Sequence, residues 1–171
     1  MSPVFPGYPC RMAYFLLLGW MAACALQDAR QRRISNLLTL GALAAALLHL
    51  LYFGSSITGA SPQAATLALG VACLLSLPGY LARQMGAGDV KMLLALGAAS
   101  DVSYLLFSVI GAAVAQVSWL SLLRIRPAIG LTLPETWIYL RTTAGNKTPY
   151  APFVCAGFVI FGIGLWITGK A

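Results

Sequence analysis

Apolar residues run along this chain in long blocks separated by short clusters of charged and turn-forming residues. A helix crossing the ~30 Å hydrocarbon layer of a bilayer needs about 20 largely apolar residues, and several blocks approach that length. The first covers 12–27 and follows a proline-containing segment, 3–9. The uncharged stretch 34–82 is long enough for two spans. Its break falls between Gly54-Ser55-Ser56 and Ser61-Pro62, a cluster of turn formers. Asp101 divides the next region into a short segment, 90–100, and a full-length one, 102–123. The last block is 149–168. The pattern predicts an all-α polytopic membrane protein, a single membrane domain over residues 1–171. It has six transmembrane helices, the fourth short and partly shielded by protein.

Composition agrees with this reading. The chain is 60% hydrophobic and 9% charged, against roughly 25% charged residues in a soluble domain. That excludes a water-soluble enzyme, and also intrinsic disorder, which needs low hydrophobicity. The net charge of +7 comes from only 11 Lys and Arg. A nucleic-acid face needs them clustered on a folded polar surface, so no nucleic-acid partner is expected. Instead they set orientation, because Lys- and Arg-rich short loops stay cytoplasmic. Arg30, Arg32, Arg33, Arg83, Lys91, Arg124, Arg126, Arg141 and Lys147 fall on one side of a six-span chain, and only Arg11 and Lys170 on the other. Both termini are therefore expected on the outer side. Within the loop 124–148, Pro134-Glu135-Thr136-Trp137 reads as the start of a short interfacial helix, with Trp137 and Tyr139 at headgroup level.

Ala23-Cys24-Ala25 resembles a small-residue signal-peptidase site. Three arginines just beyond it hold that end inside, so the first span is expected to be retained. Cys10, Cys24, Cys73 and Cys155 stand singly with no CxxC pair, and His49 is alone in an apolar run. These read as packing residues, and neither a metal nor another cofactor is expected.

The chain has four acidic residues, and a carboxylate near membrane depth costs about 2.5–3.5 kcal/mol on insertion scales. Asp28 closes the first span and Asp89 opens the fourth, both at the expected cytoplasmic boundary. Two carboxylates at one depth on different helices can share a proton when close. One then acts as general base on a water while the other protonates or hydrogen-bonds a scissile carbonyl. Gly86 and Gly88, just ahead of Asp89, permit unusual backbone angles and close approach of an extended strand. Taken singly, each feature has a plainer reading: a turn for the glycines, a helix cap for Asp89, a partner of Arg32 for Asp28. Asp101 falls on the outer side and receives no catalytic role.

Together with their flanks, these residues resemble the prepilin peptidases, or type IV leader peptidases. Asp28, a basic cluster and then Ile34-Ser35-Asn36 resemble the family's first motif, with Ser35 where proline is usual. Gly86-Ala87-Gly88-Asp89-Val90-Lys91 resembles the second, and Pro149-Tyr150-Ala151-Pro152-Phe153 the entry to the final helix. The resemblance implies an intramembrane aspartic endopeptidase of the GxGD type, with Asp28 and Asp89 as its dyad. It would work without a cofactor at the cytoplasmic face of the bacterial inner membrane. Its partners would be prepilins of type IV or Flp-type pili, or type II secretion pseudopilins, from which it removes a short basic leader. The absence of CxxC pairs and of room between the first two spans implies the short, peptidase-only form. Lys91 is read either as a group acting on a carboxylate or substrate, or as a snorkelling anchor. Asn36 either bonds the loop or caps the second span. Two other classes stay open: a small proton-coupled transporter subunit, and a structural membrane subunit in which the aspartates only pair with Arg32 and Lys91.

Overall fold

The computed structural model describes residues 8–31, 33–83, 85–129 and 149–167. These form six helices: α1 (Tyr8–Gln31), α2 (Asn36–Phe53), α3 (Pro62–Leu81), α4 (Ala87–Ala99), α5 (Val102–Ile129) and α6 (Ala151–Ile167). No strand occurs among the described residues. The region 130–148, where an interfacial helix is expected, lies outside them, as does Arg32.

The helix boundaries have local causes. Ser35 caps α2, its Oγ accepting from the Leu38 amide at 3.3 Å. Gly54 ends α2 in the left-handed conformation, φ 65°, with its amide on the Leu50 carbonyl. Ser61 caps α3 in the same way as Ser35, with Pro62 in the first turn. The break expected in the long uncharged stretch thus falls at 54–61. At the start of α5, Asp101 Oδ1 accepts from the Tyr104 amide at 3.0 Å, the capping role of a short acidic side chain.

Four helices, α1, α2, α3 and α5, are long and apolar enough to cross a membrane; α6 is apolar but shorter, and α4 has 13 residues. Helix α4 packs between α2 and α3, α6 between α1 and α5, with further contacts of α5 to α3 and α4. The short helix is the most enclosed: Met92, Leu93, Leu96, Ala98 and Ala99 are all buried. Close approach there relies on small residues. A Cβ added to Gly97 would stand 2.9 Å from the Ala68 carbonyl oxygen, so α3 and α4 touch backbone to backbone. At the α5–α6 crossing, a Cβ on Gly111 would stand 2.5 Å from Gly157 Cα. Meanwhile Met12, Leu37, Leu51, Tyr52, Leu81 and Ile167 project outward, Leu37 with 86% of its surface exposed. Such a surface suits a lipid surround.

Candidate active site

One end of the bundle gathers the end of α1 and the starts of α2, α4 and α6. Asp28, in the last turn of α1, is buried with 6% of its surface exposed. Its Oδ2 accepts a hydrogen bond from the Ala151 amide at 3.1 Å. Ala151 opens α6, so the carboxylate meets a helix N-terminus, where free amides and the helix dipole favour negative charge. The preceding Tyr150 begins that helix with its carbonyl, which accepts from Phe153 and Val154.

Asp89 lies in the first turn of α4, half-buried, with Oδ2 accepting from the Gly86 amide at 3.2 Å. Asp28 and Asp89 are near enough for the charge of one to act on the other, and the charge of Asp89 also reaches Tyr150. Two carboxylates from separate helices therefore lie at the same end of the bundle. Close acidic neighbours do not both ionise readily, and a pair holding one proton contains a base and an acid in a single site.

The glycines act differently from the sequence-based expectation. Gly86 has φ −76° and ψ 150°, an extended backbone open to any residue, and Gly88 is helical. Positive-φ glycines among the described residues are Gly54 and Gly59, away from the acids. What Gly86 supplies is space, whereas Gly88 has ordinary room. A Cβ on Gly86 would stand 3.1 Å from Asp89 Oδ2, and one on Gly88 would stand 3.4 Å from Ile34 Cβ.

The connection after Asp28 is held at several points. Gln27 Oε1 accepts from the Ser35 amide at 3.0 Å, and Trp20 Nε1 donates to the Leu38 carbonyl at 2.9 Å. Lys91 Nζ donates to Asn36 Oδ1 at 2.8 Å. Asn36 is thus not the cap of α2; Ser35 takes that place, because its extended backbone precedes the helix while Asn36 is already in it. Ser35 itself has φ −63°, the angle to which a proline ring locks the chain, so it keeps the backbone a proline would give.

A model of the type IV leader peptidase family matches residues 15–121. The chain belongs to that family. No curated protein and no solved structure matches it. The matched residues of this leader-peptidase family member include Asp28, Gly86, Gly88 and Asp89, but not Ala151, the donor to Asp28. Membership makes the chain a peptidase, and its apolar helices make it a membrane protein.

Ala151 and Gln27 are the site residues that sequence reasoning missed. A search for titratable groups passes over a backbone amide and an uncharged amide side chain. The available signal was Pro149-Tyr150-Ala151-Pro152, which marks a helix start, and hence free amides, in the last apolar block. The other groups set aside from the sequence lie elsewhere. His49 donates through Nδ1 to the Ser55 carbonyl at the opposite end of α2, and Asp101 caps α5.

Proposed function

We propose that Asp28 and Asp89 are the dyad of an intramembrane aspartic endopeptidase that removes short basic leaders from prepilins or pseudopilins. The observation that carries this reading is the placement of the two aspartates at one end of the bundle, where the end of α1 is bonded to the starts of α2 and α6 and the start of α4 is bonded to α2. One carboxylate takes a proton from the attacking water while its protonated neighbour hydrogen-bonds the scissile carbonyl and later protonates the leaving amine. The proton count is unchanged over the cycle. The six helices all span the inner membrane in this reading, with both termini outside and the dyad at the cytoplasmic face. The distribution of Lys and Arg supports that orientation. The short connection from Gln31 to Asn36 supports a peptidase without a methyltransferase region between the first two helices.

The test is co-expression with candidate prepilins, reading leader removal by gel shift and mass spectrometry. Wild type is compared with Asp28→Asn and Asp89→Asn at matched membrane abundance. Cleavage by wild type and its loss in both variants, by at least about a thousandfold, is expected. Full cleavage by either variant sinks the aspartic mechanism. Absence of cleavage by wild type across several prepilins removes the substrate assignment.

A further inference from the structure

A dyad on two different helices works only if something fixes the offset between those helices. The start of α4 meets the start of α2 at two points. Gly88 lies against Ile34, where a Cβ would stand 3.4 Å from Ile34 Cβ, an ordinary contact distance. One helical turn further on, Lys91 Nζ reaches Asn36 Oδ1 at 2.8 Å. Residues three apart share a helix face, so Gly88 and Lys91 present one side of α4 to Ile34 and Asn36. Asp89, between them in sequence, is turned to another side, where the charge of Asp28 acts on it. On the α1 side, the Gln27–Ser35 hydrogen bond ties the same connection back to the turn carrying Asp28. The chain therefore runs from one acid to the other through Gln27, Ser35, Asn36 and Lys91, joined by side-chain bonds.

We infer that the Lys91–Asn36 hydrogen bond is a clasp that sets the separation of Asp28 and Asp89, making Lys91 and Asn36 positioning residues for peptide cleavage. The inference rests on the dyad reading above. The chemistry of the pair suits the task. A hydrogen bond from an ammonium group is stronger than one between neutral partners. A neutral amide acceptor provides it without adding a third carboxylate beside two that already share a proton. Breaking the clasp loosens α4 against α2 and spoils the geometry of reaction, while leaving the substrate's apolar helix free to bind.

The experiment uses the full-length protein in detergent and a synthetic peptide carrying the leader and first apolar residues of a cleaved prepilin. Asn36→Leu and Lys91→Met remove one partner each while keeping bulk. Each is expected to lower kcat about tenfold, as small misplacements of reacting groups do, with KM unchanged. The double variant is expected to be no slower than the slower single one, since both remove the same bond. Asn36→Gln, which keeps a neutral amide acceptor, is expected to recover much of the rate. Wild-type kcat in Asn36→Leu, additive losses in the double variant, or a rise in KM with kcat intact would each overturn the clasp. The last result would instead place Lys91 against substrate. Asp28→Asn serves as the reference: if it still cleaves, the dyad reading fails, whereas a dead Asp28→Asn beside a fully active Asn36→Leu overturns the clasp alone.

Discussion

The Asp28 carboxylate accepts a hydrogen bond from the Ala151 amide, 123 residues further along the chain, at 3.1 Å. The first helix and the last are thereby joined at the acid itself. Helix α6, beyond the stretch matched by the family model, is part of the environment of Asp28. A buried carboxylate given a donor at a helix N-terminus is held in one orientation, and a hydrogen bond to a charged group is worth about 1.5–3 kcal/mol.

Ala151→Pro removes that donor at a first-turn position whose backbone suits proline, with the ring taking up space where Ala151 is fully buried. Leader cleavage is expected to fall at least about tenfold, the rate equivalent of the lower end of such a bond, with the protein still inserted and folded. Ala151→Ser keeps the amide and is expected to cleave near the wild-type rate. Initial rates at matched enzyme concentration check both.

The two glycines ahead of Asp89 give a graded pair. Gly86→Ala places a methyl group 3.1 Å from Asp89 Oδ2, so the carboxylate must shift by a few tenths of an ångström. A drop of about tenfold in kcat is expected. Gly88→Ala meets Ile34 at an ordinary 3.4 Å and is expected to be much milder. Equal effects of the two alanines would show that space beside Asp89 is not what Gly86 provides.

Ser35→Pro separates backbone shape from hydrogen bonding. The φ of −63° suits proline, but the substitution deletes the amide donated to Gln27 and the Oγ that caps α2. A loss of about 2 kcal/mol is expected, about half of it reproduced by Ser35→Ala. Thermal inactivation midpoints in detergent report the difference.

The α5–α6 crossing tolerates no side chain at Gly157, where a Cβ would fall on the Ser108 carbonyl and stand 2.7 Å from the Ala112 nitrogen. Gly157→Ala is expected to destabilise by about 1–3 kcal/mol through overpacking. Gly41→Ala, with nothing within 4 Å, is expected to leave stability unchanged or slightly raised. Unfolding in mixed micelles of increasing denaturing detergent checks the contrast.

Much of this was legible in the sequence because a membrane simplifies the reading. Charge is scarce, so Asp28 and Asp89 stand out, and turn formers such as Gly54 and Ser61 mark a break that apolar content alone would hide. Less visible was whatever depends on backbone groups or distant partners. The Ala151 amide has no residue-type signature. The Lys91–Asn36 bond joins positions 55 apart, and nothing in either residue names the other. Gly86 was legible as a glycine but not by its reason, because close approach of a carboxylate and a positive φ both select for a missing Cβ.

The turn between α2 and α3 gives the bundle a stopper. It folds over the far end of α4, where the Thr58 amide donates to the Ala99 carbonyl at 3.2 Å and Ser56 and Ser100 are buried. At the other end of α4, Gly86 and Ala87 are exposed. The two ends of α4 therefore differ: one is covered by the folded turn, and the other reaches the surface beside Asp89. In a bilayer, such asymmetry would let water approach Asp89 from one side alone, so that hydrolysis there would open no path for ions across the membrane.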